Sequence, residues 1–139
     1  MIDTKTFILA GDATFTVTSL ATGTRFTYKV DLSKDKRRYF VSVLTGPDNW
    51  TNYKYFATIN PNTGELAWAR PESAKVAPDA PSARGFAWFW RHLTAPASPK
   101  LAAVKVSHEG KCCRCGRKLT VPESIESGIG PECASLMGL

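Results

Sequence analysis

The chain has 139 residues, 43% hydrophobic and 22% charged, which is ordinary globular composition with room for one core and a small appendage. No apolar run reaches the ~18 residues of a membrane span, and the opening MIDTKTFILAGDA lacks the basic and long apolar regions of a signal peptide. The net charge of +6 excludes an acidic mimic of nucleic acid; it is compatible with a nucleic-acid partner without proving one, since each half of the chain carries nine Lys/Arg against six Asp/Glu.

The expected location is therefore the cytoplasm, where thiols stay reduced and clustered cysteines bind metal more often than they form disulfides. Residues 13–70 read as an antiparallel meander. Thr14-Phe-Thr-Val-Thr18 alternates, and Phe26, Tyr28 and Val30 share one face of the next segment. Ala21-Thr-Gly23 turns the chain between them. Tyr39–Leu44 is rich in β-formers, Gly46-Pro-Asp-Asn49 punctuates it, and Tyr53–Ile59 follows. Asn60-Pro-Asn-Thr-Gly64 leads into a fifth strand over 65–70. Five short strands at this spacing predict a curled sheet or small barrel.

Residues 71–82 carry Pro71, Pro78 and Pro81 and read as an extended loop. Ser82 then suits the N-cap of a helix over 83–93, whose Phe86, Phe89, Trp90 and Leu93 form one apolar face for the sheet. Pro96 and Pro99 break that helix. A strand-like run over 101–106 leads into His108. The expected class is α+β, with a β-meander and packed helix over 1–95, a linker and strand over 96–107, and a zinc-binding module over 108–139.

The chemistry concentrates in that module. The spacing is His108-x3-Cys112-x2-Cys115-x17-Cys133. A Cys-x2-Cys pair followed by Gly116 makes a knuckle that turns both sulfurs toward one ion. Gly130-Pro131 starts a helix, and a thiolate in a first helical turn is favoured by the backbone amides. Cys112, Cys115 and Cys133 are thus three ligands of a structural Zn²⁺, one per chain, in a treble-clef-like finger. His108 is the expected fourth, four residues before the knuckle, with Glu132 and His92 as weaker candidates; the alternative is a solvent histidine, with Cys113 or water completing the site. Cys113, beside Cys112, aims elsewhere and is read as free. Thr120-Val-Pro-Glu123 has capping-box spacing for a helix over 121–127, ended by Gly128.

The run from His108 to Cys133 resembles a short zinc-binding domain of uncharacterised function found in bacteriophage and mobile-element proteins. The shared pattern is Cys-x2-Cys-Gly-Arg, Leu-Thr, Pro-x-Ser-Ile and Gly-Ile-Gly-Pro-x-Cys, and every element is present. The resemblance implies Cys112, Cys115 and Cys133 as ligands, His108 as a frequent companion, and a phage-type accessory protein in a bacterial host cell. It implies no activity.

Four protein ligands would close the site to an activated water. The chain has no His-Glu-x-x-His, no phosphate-binding Gly-rich loop with Lys and no Gly-x-Ser-x-Gly, so no enzyme is expected. Two clusters suit a partner. Arg84, Trp88 and Arg91 share a helix face opposite the core face, and Lys111, Arg114, Arg117 and Lys118 surround the knuckle. The bland alternatives are that Trp88 packs inward and that the knuckle cations offset three thiolates. The basic turn Lys34-Asp-Lys-Arg-Arg38 reads as a solvated hairpin tip, and Trp50, Tyr53 and Tyr55 as either a stacking surface or core. The leading expectation is nucleic-acid binding. The alternative is a protein-binding inhibitor of a host factor, of the anti-defence or anti-CRISPR type.

Overall fold

The computed structural model describes residues 1–47, 52–96 and 98–139. Six antiparallel strands make the sheet: β1 (Asp12–Ser19), β2 (Arg25–Leu32), β3 (Tyr39–Leu44), β4 (Tyr53–Ile59), β5 (Leu66–Trp68) and β6 (Val104–His108). Their spatial order is β5-β4-β3-β2-β1-β6. The five meander strands appear as the alternation predicts, but β5 and β6 are free edges, so the sheet is open and not a barrel. Between Val41 and Ser42 the β3–β4 register shifts, which bends the sheet locally.

Period-two patterning sorts the side chains. Phe15, Tyr28, Val30, Val41, Val43, Ala57 and Ile59 point to one face and are buried. Helix α2 (Pro81–Thr94) covers that face with Ala83, Phe86, Phe89 and Trp90. Phe86 stands edge-on to Tyr28 at 4.9 Å, and Phe89 lies 6.3 Å from Phe15. Two polar bonds aim the helix: the Tyr28 hydroxyl donates to the Ser82 carbonyl at 2.7 Å, and Trp90 Nε1 donates to the Gly64 carbonyl at 2.8 Å. The helix begins at Pro81, one residue before the expected cap. Proline's preset φ starts it, and Ser82 lies inside the first turn with no capping bond from the preceding Ala80.

The opposite face carries Thr16, Thr27, Lys29 and Ser42, with Phe40 and Tyr55 paired edge-on at 5.5 Å. Tyr53 and Tyr55 are half-buried, while Trp50 lies outside the described residues. A short helix α1 (Thr4–Ile8) precedes the sheet, where the sequence suggests only an apolar patch. Asp3 caps it through the Thr6 amide, and Phe7 and Ile8 enter the core.

Residues 99–103 form a 3-10 helix, so the predicted strand begins later, at Val104. β6 then pairs with β1 from Phe15↔His108 to Ser19↔Val104. Two small helices come next, α3 (Pro122–Ser127) and α4 (Pro131–Leu136). Proline again decides the start of α3: Pro122 takes the first helical position and no Thr120 cap bond forms. No helix among the described residues is long and apolar enough to cross a membrane.

Phe86 touches Tyr28, Phe56, Phe89 and Trp90, so it ties the helix to two strands at once. Truncation at this position leaves a cavity the rigid sheet cannot fill. Phe86→Ala should cost about 3–5 kcal/mol in urea denaturation, against well under about 1 kcal/mol for exposed Arg84→Ala.

Candidate metal centre

β6 delivers the chain to a short hairpin. Gly110 turns it, Lys111 bridges Lys118, and the Cys112 amide donates to the Arg117 carbonyl at 2.8 Å. The Gly116 amide closes the knuckle onto the Cys112 carbonyl at 2.9 Å. Gly116 sits at φ +78°, and a Cβ there would fall 2.6 Å from Asp12 Oδ2, so only glycine makes this turn beside the sheet. α4 starts at Pro131, as the sequence predicts, and carries Cys133 in its first turn.

These elements bring the sulfurs of Cys112, Cys115 and Cys133 within 4.8 Å of one another. A zinc ion at ~2.3 Å from each sulfur would want them about 3.8 Å apart, so the cluster stands close to ligation spacing. The Gly130 amide donates to Cys112 Sγ at 3.3 Å, and Arg114 Nη1 donates to Cys133 Sγ at 3.6 Å. Burial raises the Cys112 thiol, but amide bonds from Gly130, Cys115 and Arg114 outweigh it and bring the pKa down from 9 to about 7. Burial holds Cys115 above its ordinary value. Three cysteines so placed can hold a metal ion.

Cys113 is free, as the sequence suggests, but it is not idle. Its side chain is fully buried in the hydrophobic cluster, and burial pushes its thiol up to about 12, helped by the neighbouring Cys112. Its amide donates to the Gly128 carbonyl at 3.0 Å, and its carbonyl accepts from the Asp12 amide at 2.8 Å. Adjacent side chains on this segment thus serve two sites: Cys112 the sulfur cluster, Cys113 the core.

His108 does not join the sulfurs. Its Nδ1 accepts the Gly110 amide at 2.9 Å, which puts the proton on Nε2 for donation to the Ile125 carbonyl. Both ring nitrogens are therefore committed to backbone, and the ring lies beside Phe7. His92 is remote from the cluster: its Nδ1 meets Ser98 Oγ at 2.9 Å and its ring lies 4.7 Å from Trp88. Glu132 does line the cleft that opens at the sulfurs. That cleft, of about 260 Å³, is also bordered by Arg117, Lys118, Thr120 and Ser124. Ser124 belongs to the Pro-x-Ser-Ile stretch, but nothing in its spacing from the cysteines marks it as a neighbour of the sulfurs.

Within the helix trio the two arginines are exposed and the tryptophan packs against the core cluster. Trp88 is half-buried and lines an apolar cleft with Val17, Phe26 and Val104, whereas Arg91 borders a different cleft with Lys5 and Trp90; Arg84 is exposed. The inward packing of Trp88 comes from the same core that holds Phe89 and Trp90.

Residues 104–138 match a family of unknown function (DUF6011). The matched stretch runs from β6 through α4, about a quarter of the chain, and coincides with the strand, knuckle and two short helices. No curated protein and no solved structure matches the chain.

Cys113 and Cys115 should respond differently to serine. Cys115→Ser should strip bound metal, read by atomic emission on the purified protein. Cys113→Ser should keep the metal but bury an unpartnered hydroxyl, costing about 1–3 kcal/mol of stability in urea denaturation.

Proposed function

We propose that the chain is a phage-type accessory protein that binds nucleic acid through a basic rim, with Zn²⁺ in a scaffolding role and no catalytic step. Zinc suits the donor set, since three soft thiolates with amide bonds to sulfur favour it over magnesium or calcium, which take oxygen ligands. Cys112, Cys115 and Cys133 would hold it. The ion would fix the knuckle, α4 and the edge of the sheet relative to one another.

The observation that carries the binding reading is the meeting of two basic loops at one end of the sheet. The hairpin tip 34–38 bears Lys34, Lys36, Arg37 and Arg38, all exposed. At its base the Leu32 amide donates to the Gly11 carbonyl at 2.9 Å. The next residue, Asp12, donates its amide to Cys113, and the Arg114 carbonyl lies 3.4 Å from where a Gly11 Cβ would stand. The knuckle that carries Arg114 and Arg117 therefore stands at the same end of the sheet as the base of the hairpin. The local acids are largely occupied. Asp35 accepts from Ser33 Oγ and the Arg37 amide, and Asp12 pairs with Lys29 at 3.8 Å. Two cationic loops at one end of the sheet suit a phosphate backbone, with Arg114 also serving the sulfur of Cys133.

The exposed apolar side chains favour a second reading, a protein-binding inhibitor of a host factor. Val121, Ile125, Leu136 and Leu139 are all exposed, and all come from the last 19 residues. Exposed apolar side chains at that density suit a protein partner.

Binding to labelled single-stranded, duplex and RNA probes should weaken steeply with salt. The double variant Arg37→Glu/Arg38→Glu should lower the slope of log affinity against log salt, by about 0.7–0.9 for each phosphate no longer neutralised. Lys105→Glu, at the far end of β1 opposite Thr18, should leave it unchanged. No binding to any probe at low salt, with a stoichiometric protein captured from nuclease-treated bacterial lysate, would transfer the case to the inhibitor reading.

A further inference from the structure

The cleft at the sulfur cluster contains a side chain that the scaffolding role does not use. Ser124 is 5% exposed, and it borders the cleft together with all three cysteines. Its carbonyl accepts from the Gly128 amide and the Ser127 hydroxyl, but its own hydroxyl makes no hydrogen bond among the described residues. The hydroxyl borders the cleft with its hydrogen-bonding capacity uncommitted, so a group that enters the cleft can pair with it. Arg117 and Lys118 stand on the same walls.

The donor count points the same way. Zinc held by protein takes four ligands, and three sulfurs supply three. His108, the one imidazole near by, has both nitrogens bound to backbone; Cys113 faces the core. We propose that the three-thiolate metal site keeps its fourth position open to this cleft, and that a small exogenous anion takes it, accepting a hydrogen bond from Ser124. This rests on the metal reading above and does not depend on the nucleic-acid reading. Arg117 and Lys118 offset the added negative charge, since a divalent ion with three thiolates is already about −1. Such a site could serve to sense or capture an anion, while the same ion still stitches the fold.

The test uses the full chain loaded with Co²⁺ in place of zinc, titrated with azide. Thiolate-to-cobalt charge-transfer bands should report three sulfurs, and the ligand-field bands should shift saturably as azide binds. Ser124→Ala removes no bond that holds the fold, and it should weaken azide roughly two- to tenfold, the value of one hydrogen bond. His108→Gln should leave bands and azide affinity unchanged. If cobalt does not bind at all, the metal reading falls and this inference with it. If cobalt binds with the three-sulfur bands but azide moves nothing, this inference alone is wrong. A His108→Gln shift of the ligand-field bands, or an azide response that appears only in Glu132→Gln, would likewise overturn it by naming a protein side chain as the fourth donor.

Discussion

Everything distinctive in this protein depends on two adjacent cysteines facing opposite ways. Cys113 is sealed in the core cluster, and Cys112 belongs to the sulfur cluster. Cys112 follows the Lys111 bridge and Cys113 opens the turn over 113–115, so the backbone bends between their two roles. The backbone between them is held from both flanks, by Asp12 at the start of β1 and by Gly128 at the end of α3. Gly128 is required there: its φ is +84°, and a Cβ would fall 2.6 Å from the Phe7 ring. A metal held by these sulfurs would therefore order the knuckle together with α1 and the sheet, through covalent neighbours.

β6 makes that coupling rigid. A strand paired over five residues with β1 leaves little freedom for the hairpin it enters. His108 ends that strand and buckles it to α3 through the Ile125 carbonyl. The imidazole thus works as a backbone clasp, and its two nitrogens are used up in doing so. The Ile2 amide adds a further tie, donating to the Ser127 carbonyl at 2.9 Å. The small module, which has too few residues to bury a core of its own, lends Leu119, Ile129 and Cys113 to the shared one.

The same docking brings the bases of two basic loops to one end of the sheet. They are anchored there by hydrogen bonds between main-chain groups, Leu32 to Gly11 and Asp12 to Cys113, which do not depend on the side-chain charges. Lys34, Lys36, Arg37 and Arg38 of the hairpin are exposed, whereas Arg114 of the knuckle turns its guanidinium to the sulfur of Cys133.

Local signals in the chain were sufficient for much of this. Alternation in the first two strands, β-forming residues in the third and the turn residues between the rest gave the five meander strands, and the i, i+3, i+4 spacing of Phe86, Phe89 and Trp90 gave the helix and its inward side. The Cys-x2-Cys-Gly knuckle and the Gly-Pro helix start gave the three clustered sulfurs, because bond lengths and short turns restrict where such residues can point. Boundaries were less legible: Ser82 and Thr120 looked like caps, but Pro81 and Pro122 began the helices, since a ring that presets φ competes well with a side-chain bond. What the tertiary structure alone decided are relations between distant segments. The pairing of β6 with β1, the commitment of His108 to Ile125, the place of Ser124 in the sulfur cleft and the bond from Asp12 to Cys113 all join positions far apart in the chain. Spacing along a chain reports what neighbours do to each other; it carries no record of which remote group will compete for the same nitrogen or border the same cleft.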